Sequence, residues 1–181
     1  MAGVENDRNG SPRLPNGLQR GGPIHDRHLK IHQDDIRHLP AHLLQGWQPS
    51  ADLKSWTLRI RPGVKWHSGR AFVASDVVWN LTRLLSDEVG SSVLGLMEPY
   101  LLNKIDTGQV NDKGRKIFRH EWWSPRAIEV VDTMTVRLNL KAPQLAVPEH
   151  LGHFPAVMLF PEERGVFGPG SIGTGAFKLT E

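Results

Sequence analysis

The sequence predicts an α+β fold, a mixed sheet of short strands and hairpins with helices packed on it. Three observations carry this. Apolar and polar residues alternate at 57–61 and again at 134–140, the two-residue period of a half-buried strand. Between those runs, Val77, Val78, Leu81, Leu84 and Leu85 form one stripe of a 3.6-residue period, the mark of an amphipathic helix over Ser75–Ser86. Phe177 and Leu179 then open a further alternating run.

Composition bounds the function. The 181 residues are 39% hydrophobic with 18 Gly and 13 Pro, so the chain is globular and rich in turns. That length suits one domain with a real core, or a piece of a larger one. Lys and Arg number 22 against 19 acidic residues, and a net charge of +3 argues against a nucleic-acid partner. There is no cysteine, which excludes a disulfide framework, a thiolate metal site and a Cys nucleophile. No apolar run approaches the ~18–20 residues of a membrane span. The N-terminus lacks the basic-then-apolar order of a secretory signal.

Residues 1–42 read as an irregular or disordered arm, and the folded part is expected over 43–181. The pairs Asn9-Gly10 and Asn16-Gly17, with Pro12, Pro15 and Pro23, punctuate a stretch without apolar period. Five of the nine histidines follow: His25, His28, His32, His38 and His42. A histidine-metal enzyme built on them is one alternative reading, because histidines three or four apart share a helix face. Pro40 breaks that spacing, and no acid is clearly placed as a general base, so a solvated surface is the preferred reading. A short helix is expected over 34–45 with Leu39, Leu43 and Leu44 buried, then a loop from Trp47 to Lys54 built on Pro49, Ser50 and Asp52.

In the strand at 57–61, Leu58 and Ile60 face the core. Pro62-Gly63 turns the chain, Val64 and Trp66 alternate again, and Ser68-Gly69 turns it once more. Lys54, Arg59, Arg61, Lys65 and Arg70 lie near Trp56 and Trp66, as in a small basic nucleic-acid module. With so low a net charge, a solvated strand face is the better reading. In the helix, Asp76 in the first turn and Arg83 near the end suit the macrodipole. Val73 has no acceptor to cap with, so Ser75 is expected to cap and shorten the helix by a turn. Trp79 falls on the face opposite Val77, where it would meet a second layer of protein.

The order Trp56-Thr57-Leu58, Arg61, Gly63-Val64, Trp66-His67-Ser68-Gly69, Phe72, Ala74, Asp76-Val77-Val78-Trp79 resembles the motif of the extracytoplasmic solute-binding proteins of ABC importers, in the peptide/nickel-type family. Two later stretches resemble the same family in its order. One is Ala127 to Pro143, read as an antiparallel hairpin turning at Asp132-Thr133 with Met134, Val136, Leu138 and Leu140 on one face. The other is Gly173 to Thr180, read as turn glycines entering a strand with Phe177 and Leu179 on one face.

The intervening segments are less regular. Residues 90–102 read as a loop entering a short helix that Pro99 interrupts. Residues 103–125 are polar, with Gly108 and Gly114 as turn points and Trp122-Trp123 packing back on the body. Asp106-Thr107-Gly108 is not an aspartic-protease site, because Lys104 precedes it and no second copy supplies the partner carboxylate. Gln144–Gly152 reads as a short helix and Ala156–Phe160 as a buried strand. Gly168, Gly170 and Gly173 fit G-x-G-x-x-G, but Pro169 removes a donor and an alternating run follows, so no dinucleotide site is read there.

The resemblance implies part of the first lobe of a two-lobed, periplasmic-binding-protein-like fold. It implies capture of a peptide or related small solute for an importer's membrane subunits, without catalysis, cofactor or metal, without nucleic acid and without direct membrane insertion. The parent family works in the periplasm or outside the cytoplasmic membrane. Which solute stays open among peptides, metal chelates and sugars. In the family, the segment after the Asp-Val helix borders the ligand cleft, which points to Ser91, Ser92 and Gly95, although the same residues also suit an ordinary helix start. Family members continue past the Gly-Thr-Gly strand, so the chain is expected to be a fragment that binds solute weakly by itself.

Overall fold

A computed structural model describes residues 42–178. The expectations for residues 1–41, including His25, His28, His32, His38 and Leu39, lie outside the described residues, as does Leu179. The elements run β1 (Leu44–Pro49), β2 (Ser55–Ile60), α1 (Ala74–Leu84), α2 (Ser92–Leu101), β3 (Leu102–Val110), β4 (Lys116–Trp122), β5 (Ile128–Asp132), β6 (Thr135–Asn139) and α3 (Val147–Leu151), then a 3-10 turn at Pro161–Glu163.

The α+β expectation holds, and every pairing between these strands is antiparallel. A four-stranded sheet has the order β1-β2-β6-β5, and β3 pairs with β4 as a separate ribbon. The central pair sets Trp56 against Leu138 and Leu58 against Val136. These side chains, with Ile60, point to the buried face. Helix α1 covers that face through Ala74, Val77, Leu81 and Leu84, and α2 adds Val93, Met97, Tyr100 and Leu101 to the same core. Both the strand at 55–60 and the hairpin at 128–139 lie where the two-residue period placed them.

Several local expectations are corrected. Helix α1 is not shortened to a Ser75 cap but starts at Ala74, behind an extended Val73. The Asp76 carboxylate accepts from the Val73 N–H at 3.1 Å, and the Val73 carbonyl accepts from the Asp76 N–H at 3.0 Å. That exchange satisfies the first turn without a cap side chain. Residues 44–49 form strand β1 in place of a helix end and loop; Leu43 and Leu44 are buried as foreseen, but from a strand edge. The loop shrinks to 50–54, tied by Ser50 and Asp52: the Ser50 hydroxyl donates to Asp52 at 2.6 Å and accepts from the Ser55 N–H at 2.9 Å.

Pro99 sits inside α2 without ending it, because only two helical residues follow and a single intrahelical donor is lost. Residues 102–122 form the β3–β4 hairpin with a register shift between Asp106 and Val110, and Gly108 (φ 72°) and Gly114 (φ 70°) take the left-handed backbone its bends need. Both strands are largely exposed, so no apolar alternation marks them.

Residues 156–160 bury Ala156, Met158 and Phe160 alternately, as a strand would, yet they join neither sheet. No strand forms over 173–178, and Phe177 is 73% exposed. Instead the loop folds over His67: the His67 N–H donates to the Gly173 carbonyl at 2.8 Å, the Gly173 N–H donates to Nδ1 at 3.1 Å, and Nε2 lies 2.8 Å from the Gly175 carbonyl. Trp79 is half-buried under the Arg83 guanidinium, 5.9 Å from the ring centre.

Candidate functional site

Helix α2 presents two faces. Val93, Met97, Tyr100 and Leu101 hold it in the core, which leaves Ser92, Gly95 and Pro99 on the solvent side. Ser91 is the N-cap, with its Oγ accepting from the Val93 N–H at 3.3 Å. Of the three sequence-predicted site residues, Ser91 therefore spends its hydroxyl on the helix. Ser92 and Gly95 are exposed one turn apart on a common face. A Cβ added to Gly95 would meet nothing within 4 Å, so the backbone there is open to an approaching molecule.

Sequence reasoning missed two neighbours of this face. His153, just beyond α3, places Nε2 3.4 Å from the Ser92 hydroxyl. Phe154 lies 5.4 Å from the His153 ring centre and is 73% exposed. Both fall in a stretch whose only signal was a short helix followed by an alternating run, and the contact joins positions 61 residues apart. The surface thus offers a hydroxyl, an imidazole, open backbone and an uncovered aromatic ring.

Behind it, the Tyr100 hydroxyl and His150 Nδ1 are 2.9 Å apart, with the rings stacked at 5.8 Å. Burial pushes the Tyr100 phenol well above its ordinary range. Burial also pulls His150 below the ordinary histidine value, a nearby Glu149 opposing and His153 assisting. A phenol that holds its proton beside an imidazole that resists one makes Tyr100 the donor and Nδ1 the acceptor.

The remaining polar clusters are structural. Asp76, 3% exposed, accepts from Trp66 Nε1 at 2.9 Å and from Arg70 Nη1 and Nη2 at 3.1 and 3.0 Å, besides the Val73 amide. Arg70 continues to Glu162 at 3.0 Å. The guanidinium of Arg61 donates to the His42 and Leu44 carbonyls. Two of the five basic residues are thus engaged in holding the fold. An open depression of about 460 Å³ lies over β1, β2 and β6, lined by Gln45, Thr57, Arg59 and Asp132 among others. Among the described residues, no group of three or more His, Asp or Glu is arranged to hold a metal ion, and no helix is long and apolar enough to cross a membrane.

Residues 39–181 match the family model for bacterial extracellular solute-binding proteins, family 5 middle. The chain is 28% identical over 141 residues to the glutathione-binding protein of Pectobacterium atrosepticum, covering 76% of this chain and 23% of that protein. It is 27% identical over 147 residues to the dipeptide-binding protein of Bacillus subtilis, covering 77% and 25%. The chain therefore spans about a quarter of the length of these curated relatives. Among solved structures, the murein tripeptide binding protein of Escherichia coli superposes with a TM-score of 0.61 at 22% identity, over 84% of this chain and 31% of that one, and so shares its fold.

Proposed function

Because the chain belongs to the bacterial extracellular solute-binding proteins of family 5, we propose that it serves in the capture of a peptide or related small solute and its delivery to the membrane subunits of an ABC importer. The match over residues 39–181 carries this reading. The names of the relatives support the solute class, since glutathione, a dipeptide and a murein tripeptide are all short peptides. The working place that follows is the periplasm or the outer side of the cytoplasmic membrane. Residues 43–181 are taken as part of the first lobe, and capture as closure of two lobes on the solute by hinge motion, with no bond made or broken.

The exposed face of α2 is the wall proposed to meet the solute. Ser92 supplies a hydroxyl for a peptide amide or carboxylate, and Gly95 lets a peptide backbone lie close. The uncovered Phe154 ring suits an apolar side chain. Amide chemical shifts followed while glutathione, a dipeptide and a tripeptide are added test the proposal. Saturable shifts clustered at Ser92, Gly95 and Phe154 are the expected result. Shifts confined to the depression around Arg59 and Asp132 would move the site, and none at any accessible concentration would overturn the reading for this chain.

A further inference from the structure

One imidazole of the β3–β4 hairpin reaches two other elements of the fold. Leu102 is buried and Trp122 half-buried at its base, but most of both strands is exposed. On β4, one turn of the pleat beyond Trp122, the His120 side chain is only 9% exposed. Its Nδ1 lies 2.5 Å from Asp87 Oδ1, in the loop between α1 and α2, and its Nε2 lies 3.2 Å from Glu98 Oε2 on α2. The His120 backbone N–H donates to the other Asp87 oxygen at 2.9 Å. Lys104, opposite His120 on β3, sits 3.5 Å from Glu98. Three separate elements thus converge on one ring.

A carboxylate only accepts hydrogen bonds, so each ring nitrogen needs its own proton to satisfy both neighbours. A neutral ring carries one N–H; its other nitrogen then turns a lone pair toward a carboxylate oxygen. We propose that His120 is a proton-dependent latch: doubly protonated, it donates to Asp87 and Glu98 at once and holds the hairpin down, and losing one proton to solvent it frees one of the two contacts and loosens the hairpin. The state of Asp87 agrees with this. Burial raises its carboxyl, but the hydrogen bonds from His120, with the charges of His120 and Arg119, more than reverse that and keep it below the ordinary range. Lys104 works the other way, since its charge beside Glu98 offsets part of what the ring supplies when protonated. The latch acts outside the exposed face of α2 and stands whatever the solute proves to be. Because Glu98 lies on α2 itself, the same proton also sets how firmly the hairpin backs that helix.

Hydrogen exchange of the hairpin amides, corrected for intrinsic rates and followed from the pH at which ring 15N shifts show both nitrogens protonated to the pH at which they show one, tests it. Protection at 116–122 is expected to fall by about tenfold across that span, the scale of one charge-assisted hydrogen bond, while β2 and β6 stay unchanged. In His120→Gln the hairpin should exchange fast at both ends of the range. In Glu98→Gln a neutral ring can satisfy both partners, so the hairpin should stay protected at both ends. Ring 15N shifts of the unaltered protein should show both nitrogens protonated while the hairpin is protected. Unchanged protection across the range, a pH dependence that survives in Glu98→Gln, or a protected hairpin with a neutral ring would each overturn the latch.

Discussion

Asn80 on α1 pairs with the backbone of Leu159 as a neighbouring strand would. Its Nδ2 donates to the Leu159 carbonyl at 2.8 Å, and its Oδ1 accepts from the Leu159 N–H at 2.8 Å. The side chain is fully buried and gives a further bond to the Asp76 carbonyl at 3.0 Å. Arg83, one turn on, donates to the Val157 carbonyl at 3.2 Å. A helix thus supplies the hydrogen bonds that a sheet edge would have given to 156–160. Asn80→Ala leaves the part-buried amide and carbonyl of Leu159 unpaired and is expected to cost about 2–4 kcal/mol. Asn80→Asp keeps the acceptor but faces the Leu159 carbonyl with a carboxylate, and should cost at least as much. Urea unfolding of the three proteins checks this; a loss within experimental error for Asn80→Ala would show that the pairing contributes little.

Asp76 is the other polar group the core depends on. Removing it strands the Trp66 indole N–H and the Val73 amide, and leaves Arg70 with Glu162 as its remaining carboxylate partner. Asp76→Ala is therefore expected to cost about 2–4 kcal/mol, the penalty for leaving the indole and amide N–H groups unpaired. Asp76→Asn keeps one acceptor and should cost less. Because Trp66 packs against Phe72 (tilted, 5.5 Å) and Phe160 (edge-on, 5.1 Å), its near-ultraviolet dichroism reports the same site. Retention of that signal and of stability in Asp76→Ala would show that the core holds Trp66 without the carboxylate.

These two residues also show what the sequence could and could not reveal. The apolar stripe of α1 was legible because Val77, Leu81 and Leu84 repeat at the helical period. Asp76 and Asn80 share the buried side, yet nothing in their letters separates a buried polar residue from a solvated one. Strand β2 and the β5–β6 hairpin were legible because one face is buried and one is wet. Strand β1, with Gln45, Gly46, Gln48 and Pro49, has no such contrast, and β3 and β4 are wet on most of both faces. In 156–160 the burial alternation was real, but its partners are side chains. Of the proposed site, Ser92 and Gly95 followed from the family motif, whereas His153 and Phe154 come near only through the packing of α3 on α2.

Tyr100 and His150 give a pH dependence of opposite sign to the hairpin latch. His150 is held below its ordinary value in the folded chain, chiefly by burial. Between that lowered value and the ordinary value of about 6.5, the unfolded chain binds more protons than the folded one. Stability therefore rises with pH through that window, is fully present above it, and is lost as pH falls. The Tyr100 bond adds to this, since a proton on Nδ1 removes the acceptor. Unfolding by urea at steps across this window should show the decline on the acid side. Tyr100→Phe is expected to lower stability by about 1 kcal/mol while leaving a decline of the same sign, because burial of His150 remains. Loss of the acid-side decline in His150→Gln is the expected result, and an unchanged decline there would place its source at another group.

Gly95 separates a solute-facing wall from an ordinary helix surface. It sits inside α2, its added Cβ meets nothing within 4 Å, and it lies outside the left-handed region where glycine is required. On helix propensity alone, Gly95→Ala should stabilise the chain by about 0.5–1 kcal/mol. A structural role offers no reason to keep glycine there, whereas a surface that a peptide backbone must approach closely does. Gly95→Trp then supplies the test, because the open space lets the ring project without disturbing Val93 or Met97. Its stability should match that of the unaltered chain within about 1 kcal/mol, as for other surface substitutions. The peptide-induced shifts at Ser92 and Phe154 should disappear. If Gly95→Trp keeps those shifts at the same peptide concentrations, α2 does not face the solute, and the wall must be sought on another part of the chain.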